Sequence, residues 1–251
     1  MTFLHLSDLH FHRFASDNRE IVERLEYVRQ NYPTHHLIIT GDIVDDGHPR
    51  QYQNAFDALE PFLGRIFIAP GNHDFGAAGN FFSKERAERF DAMLSEPLHQ
   101  GGTFTGDNTP VVNILREDGS GVMLIALDTN LETDHPFDFA CGEVGAGQLA
   151  FLDAILSDPN NAPMLKIVFF HHHPFYHKNP FLELRDAKQL MRTLYNRVDV
   201  VLFGHKHVAG QWQNLNGIQY VLAADNAYRH DFCREIVIQA GQLTVNTVPI
   251  V

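Results

Sequence analysis

Five short polar fragments each follow a short apolar run: Asp8-Leu9-His10, Gly41-Asp42, Gly71-Asn72-His73-Asp74, His171-His172-His173-Pro174 and Gly204-His205-Lys206-His207. The apolar runs read as buried strands, and parallel strands deliver their C-terminal ends to one edge of a sheet. Between the first and second runs, Ile21, Leu25, Val28 and Tyr32 recur at helical spacing. Between the second and third, Tyr52, Ala55, Phe56, Leu59 and Phe62 share one helical face. The order β-α-β-α-β predicts an α/β fold with a parallel sheet covered by helices.

Further along, strands are predicted over 111–116, 122–127, 166–170 and 199–203, and helices over 84–94, 148–156 and 185–195. Asp17 with Glu20 reads as a capping box opening the first helix. The last 45 or so residues read as antiparallel strands over 208–213, 218–223, 232–239 and 243–248. Asn216-Gly217 and Ala240-Gly241 serve as their hairpin turns. Residues 128–147 form a long irregular segment. No repeat, low-complexity stretch or linker interrupts the 251 residues, which are read as one domain.

The fragments supply Asp, His and Asn without thiolate. Such an oxygen and nitrogen donor set suits two divalent transition-metal ions, Mn, Fe, Zn or Co, better than a Cys-rich structural zinc site. A strand-end carboxylate can bridge two ions ~3.5–4 Å apart, the separation useful in phosphoryl transfer. Water acidified by such a centre attacks phosphorus in line, while the second ion and nearby cations take up the developing charge.

The series also resembles the calcineurin-like metallophosphoesterase superfamily, whose ordered blocks are D-x-H, G-D, G-N-H-D/E, H and G-H-x-H. All five are present between residues 8 and 207. A lone D-x-H or G-D means little, but G-N-H-D and G-H-x-H together are specific. In layout the chain is similar to the smaller bacterial members, class III cyclic-nucleotide phosphodiesterases and glycerophosphodiesterases. The resemblance implies a four-layer αββα sandwich of two mixed sheets with a dinuclear site at the strand ends. It implies hydrolysis of a small phosphodiester, with a phosphomonoesterase or an inactive binding scaffold as alternatives.

Carried over by position, the resemblance assigns Asp8, His10 and His207 to one metal, Asp42 to the bridge, and Asn72 and His205 to the second. The second ion also takes a histidine of the run 171–173. The family places that ligand two residues before a proline, which selects His172, with His171 as the alternative. His73 contacts the phosphate and protonates the leaving oxygen; Asp74 orients His73. The second block continues Ile43-Val44-Asp45-Asp46-Gly47 without the Arg of phosphoprotein phosphatases, which weighs against that activity. Lys206 stands where many relatives have a small or apolar residue, and is expected to face solvent.

Charge narrows the partners. With 31 acidic and 19 basic residues the net charge is −12, which argues against a polyanionic nucleic acid as partner and leaves a small phosphate ester as the expected one. No apolar stretch approaches the ~20 residues of a membrane span. Two cysteines, Cys141 and Cys233, are too few for a disulfide framework, and no signal peptide is evident, so a cytoplasmic location is expected.

Most of the other histidines, His5, His12, His35, His36, His48, His99, His135, His173, His177 and His230, read as core or loop residues. Asp45, Asp46 and Asp128 read as turn caps or loop ties. Many of the 20 phenylalanines follow motif-bearing strands; Phe11, Phe14, Phe75, Phe81, Phe82, Phe175 and Phe181 are examples. Loop packing is the expectation for these. An aromatic wall for the organic part of a substrate, centred on Phe137 and Phe139, is the alternative.

Overall fold

The computed structural model describes residues 1–106, 109–117, 120–130, 140–175, 181–239 and 241–251. His135, Phe137, Phe139 and His177 lie outside the described residues. Strands β1 (Thr2–Leu6), β2 (His36–Thr40) and β3 (Ile66–Ala69) run parallel, joined through helices α1 (Arg19–Asn31) and α2 (Pro49–Leu59). After β3 come one helical turn, α3 (Asn72–Phe75), the short hairpin β4 (Gly76–Ala77) and β5 (Phe81–Phe82), and α4 (Lys84–Phe90).

The second half repeats the scheme. Strand β6 (Val111–Glu117) pairs antiparallel with β7 (Ser120–Ala126), and β7, β8 (Leu165–Phe169) and β9 (Val200–Phe203) run parallel. Helices α5 (Ala146–Ser157) and α6 (Ala187–Leu194) make the crossovers. The hairpin β10 (Gly210–Leu215) and β11 (Ile218–Ala223) follows, then β12 (Phe232–Gln239) and β13 (Gln242–Pro249). One mixed sheet has the order β13-β12-β1-β2-β3 and the other β10-β11-β9-β8-β7-β6.

Alternation along the central strands sets the layers. Val122, Leu124, Ile167, Phe169, Val200 and Leu202 pack with residues of β1–β3, α1 and α2 in one core. Their sequence neighbours Met123, Ile125, Val168, Phe170, Val201 and Phe203 pack with Leu152 of α5 and Leu190 and Leu194 of α6 in the other. Period-two alternation of apolar residues on both faces thus generates helix, sheet, sheet, helix. Each such side chain contributes on the order of 1.5–3 kcal/mol by leaving water.

Two local expectations are corrected. Asp17 does not cap α1: a 3-10 turn over Ala15–Asn18 precedes the helix, and Asn18 instead ties down His12 through bonds of 2.7 and 3.0 Å to its backbone. The capping box belongs to α2, where the Gln51 side chain accepts from His48 N at 3.1 Å. The terminal strands are not all antiparallel, because β11 pairs parallel with β9 and β12 returns to the first sheet beside β1. Asn216 and Gly217 do form the predicted hairpin turn, both with positive φ, 52° and 71°. Among the described residues no helix is long and apolar enough to cross a membrane.

Candidate metal centre

The parallel strands end at one edge, and the five polar fragments meet there. Asp8, His10, Asp42 and His207 bring ligand atoms within 4.8 Å of one another, as do Asp42, His171 and His205. Asp42 is common to both groups. The backbone turns sharply to achieve this: Asp8, His10, Asp42, His205 and His207 all have φ between 49° and 73°. Left-handed backbone at a non-glycine residue costs on the order of 1–3 kcal/mol and clusters at functional sites.

Contacts are dense. His207 Nε2 lies 3.0 Å from Asp8 Oδ1 and 3.4 Å from His10 Nε2. His171 Nε2 lies 3.1 Å from Asp42 Oδ2, 3.0 Å from Asn72 Oδ1 and 3.2 Å from His205 Nδ1. His205 Nδ1 is 3.0 Å from Asn72 Oδ1. Buried lone pairs this close together repel unless protons or cations lie among them. Burial would raise the Asp42 carboxyl, but positive charge on His171 and His73 outweighs it and holds Asp42 well below the usual carboxylate range. Burial would likewise lower His171, yet the charge and hydrogen bond of Asp42 push it up to about 9. The donors, two buried carboxylates, an amide oxygen and four imidazoles, suit a pair of divalent cations.

Strand alternation decides between the adjacent histidines. Ile167 and Phe169 face the other sheet, so His171 continues on that side, toward Asp42. His172 continues the side of Val168 and Phe170, and its Nδ1 meets Thr129 Oγ1 at 2.8 Å. The geometry therefore brings His171 into the cluster and not His172. Counting back from Pro174 selects the neighbour because the run contains one more histidine before the proline. His172 instead packs its ring on His205, with centroids 4.6 Å apart.

Asp74 also departs from expectation. Its oxygens accept from Val44 N and Gly71 N, both at 2.8 Å, and His73 Nδ1 hydrogen-bonds the backbone carbonyl of Asp45 at 2.7 Å. Asp74 therefore ties the Asp42 and Asn72 loops together and does not orient His73. Burial, and then the charge of Asp42, push its pKa up to about 7. His73 is placed by its own backbone, whose N–H donates to Asp42 Oδ1 at 2.9 Å.

The sequence reads Asp45 as a turn cap or loop tie and gives no sign of Asn226 or Tyr228. The Asp45 carboxylate lies 3.6 Å from His10 Nδ1 and 3.5 Å from His12 Nδ1, close enough for ion pairing. Asn226 meets His207 Nδ1 at 3.2 Å, and the Tyr228 ring stands edge-on to His10 at 5.8 Å. Neither Asn226 nor Tyr228 belongs to a motif; each reaches the centre through a turn from β11 to β12.

Two glycines have steric reasons. A Cβ on Gly41, at φ 85°, would lie 2.8 Å from His171 Nδ1, so the G-D block needs its glycine for the two sheets to meet. A Cβ on Gly79, at φ 68°, would lie 2.5 Å from His73 Nε2 and 2.6 Å from Asn72 Nδ2. Asn72 donates to Gly79 O at 2.9 Å, which holds the β4–β5 hairpin against the centre. A small recess there is bordered by Asn72, Gly79, Phe81, Phe82, Asn130 and Cys141. Phe81 is half exposed, whereas Phe75 and Phe11 are core residues.

A sequence model of the family described as Calcineurin-like phosphoesterase matches residues 1–209. The chain belongs to that family of dinuclear metal enzymes and is a hydrolase acting on phosphoester bonds. It is 29% identical over 214 residues to a probable cyclic nucleotide phosphodiesterase of Rhodococcus erythropolis, covering 82% of this chain and 62% of that protein. It is 29% identical over 245 residues to a cAMP/cGMP dual specificity phosphodiesterase of Mycobacterium tuberculosis, covering 91% of this chain and 68% of that one. A glycerophosphodiester phosphodiesterase of Enterobacter lignolyticus is 26% identical over 184 residues, covering 69% and 57%. Among solved structures, a dimetal phosphatase from Danio rerio shares the fold, with a TM-score of 0.70 at 15% identity over 100% of this chain and 96% of that one.

Proposed function

We propose that the chain hydrolyses a small phosphodiester, of the cyclic-nucleotide or glycerophosphodiester type, at a centre of two divalent metal ions. Asp8, His10 and His207 would hold one ion and Asn72, His171 and His205 the other, with Asp42 common to both groups. When bound, the ions supply an acidified water nucleophile and neutralise charge on the phosphoryl oxygens. The observation that carries this reading is that Asp42 is shared by two ligand groups while His73 stands beside it. The names of the relatives at 24–29% identity support the diester class.

The role of His73 follows from its hydrogen bonds. A carbonyl only accepts, so Nδ1 carries a proton toward Asp45 O. To deliver a second proton from Nε2 to a leaving alkoxide, the ring must be imidazolium.

The test is a substrate panel on manganese-, iron- and zinc-loaded protein: bis(p-nitrophenyl) phosphate, p-nitrophenyl phosphate, cyclic nucleotides and glycerophosphodiesters. Diesters should exceed the monoester in kcat/KM by tenfold or more. Asp42→Asn should lose activity and bound metal together. A monoester preference would overturn the diester assignment. Full activity in Asp42→Asn would overturn the centre.

A further inference from the structure

His207 presents two different sides. Its Nε2 faces Asp8 and His10, and its Nδ1 faces the side-chain amide of Asn226 at 3.2 Å. Asn226 is 2% exposed, and its Oδ1 has no hydrogen-bond partner. The amide nitrogen is drawn toward the ring, but the two ends of an amide interchange by a half-turn.

An imidazole that binds a cation through Nε2 carries its proton on Nδ1, and that N–H needs an acceptor. Two other imidazoles of the centre already show this arrangement. His171 Nδ1 meets Thr40 O at 2.7 Å and His73 Nδ1 meets Asp45 O at 2.7 Å. His10 turns Nδ1 toward the Asp45 carboxylate at 3.6 Å. His205 is the exception, turning Nδ1 inward. At His207 the group in position to accept is Asn226, and the end able to do so is Oδ1.

We propose that Asn226 is the positioning residue for His207: its amide oxygen holds the Nδ1-protonated tautomer and aims the Nε2 lone pair between Asp8 and His10. The inference rests on His207 being a metal ligand. The turn that carries Asn226 is fixed at both ends. Ala224 N donates to Phe203 O and Ala227 N donates to Ser7 O, each at 2.9 Å, so it spans the ends of β9 and β1. Asn226 N donates to Asp225 Oδ1 at 2.9 Å, which sets the local bend. This turn lies beyond residues 1–209, the span matched by the family model.

The experiment compares Asn226→Ala, Asn226→Asp and His207→Ala by zinc affinity, measured by chelator competition, and by imidazole tautomer, read from long-range ¹H–¹⁵N NMR of the zinc-loaded protein. Asn226→Ala should weaken one zinc by roughly 10–100-fold and leave the other unchanged. Asn226→Asp, which keeps an acceptor, should stay within a few-fold of the parent. His207 should show Nδ1–H in the parent. Unchanged affinity in Asn226→Ala overturns the proposal, as does an Asp variant as weak as Ala or an Nε2–H signal in the parent. His207→Ala should lose the same zinc. If it retains both ions, the ligand assignment of His207 fails, and the role of Asn226 falls with it. If it loses one while Asn226→Ala does not, only the role of Asn226 is overturned.

Discussion

Nε2 of His171 lies 3.1 Å from Oδ2 of Asp42, joining the end of β8 in one sheet to the end of β2 in the other. His171→Ala should therefore remove about one of two bound metal equivalents after dialysis and lower kcat by 10²-fold or more. His172→Ala should keep both equivalents and lose thermal stability, because its buried ring packs on His205 and bonds Thr129. Elemental analysis of the two variants decides between them.

His73 and Asp74, adjacent in sequence, should separate cleanly. His73→Ala should lower kcat by about 10²–10⁴-fold, the usual range for a general acid, with metal content unchanged. The loss should shrink for esters with better leaving groups. Asp74→Asn cannot accept from both Val44 N and Gly71 N, so it should cost roughly 1–3 kcal/mol of stability. Its rate should keep the parent's dependence on leaving-group pKa.

The half-exposed ring of Phe81, on the hairpin that Asn72 holds against the centre, gives a size-dependent outcome. Phe81→Ala should raise KM several-fold for esters with large organic groups and leave dimethyl phosphate turnover unchanged. Equal effects on both would remove Phe81 from the substrate site. Gly79→Ala should harm every substrate, since its Cβ would press on Asn72 and His73.

His5 predicts an acid limit. Its Nε2 is 2.9 Å from Thr40 Oγ1 within the core, and burial lowers its pKa from 6.5 to about 3. The unfolded chain takes up a proton as pH falls through 6.5, while the folded chain refuses it until about pH 3. The stability contributed by the neutral ring is whole above pH 6.5 and declines as pH drops, at up to ~1.4 kcal/mol per pH unit. His5→Gln should flatten that decline. Urea unfolding at pH 7, 6 and 5 measures it, and equal slopes in both proteins would count against His5.

Much of this architecture is written in local pattern. The first three strands and both crossovers follow from apolar periodicity, and the motif order puts their polar ends on one edge. What escaped depends on distant partners. The parallel pairing of β11 with β9 has no local signature, because the intervening hairpin lets β11 reach β9 from either direction. His171 was readable from the alternation Ile167, Phe169, His171, but a count from Pro174 misses it. The partner of His73 is a backbone carbonyl, which carries no residue identity, so the nearby carboxylate of Asp74 looked the better choice. Asn226 sits 19 positions past His207 in an unremarkable turn, and only the folded chain brings the two together.

Strand β1 lies between β2 and β12, and Met1 is tied to Ile238. The strand that delivers Asp8 and His10 is thus separated along the chain from its second neighbour by more than 220 residues. Until Phe232–Gln239 pairs with it, β1 has an open edge on that side. Such non-local pairing is slow to form. The two acidic strand tips, Asp8 and Asp42, therefore wait for distant segments carrying His171, His205 and His207 before the cluster can close around them.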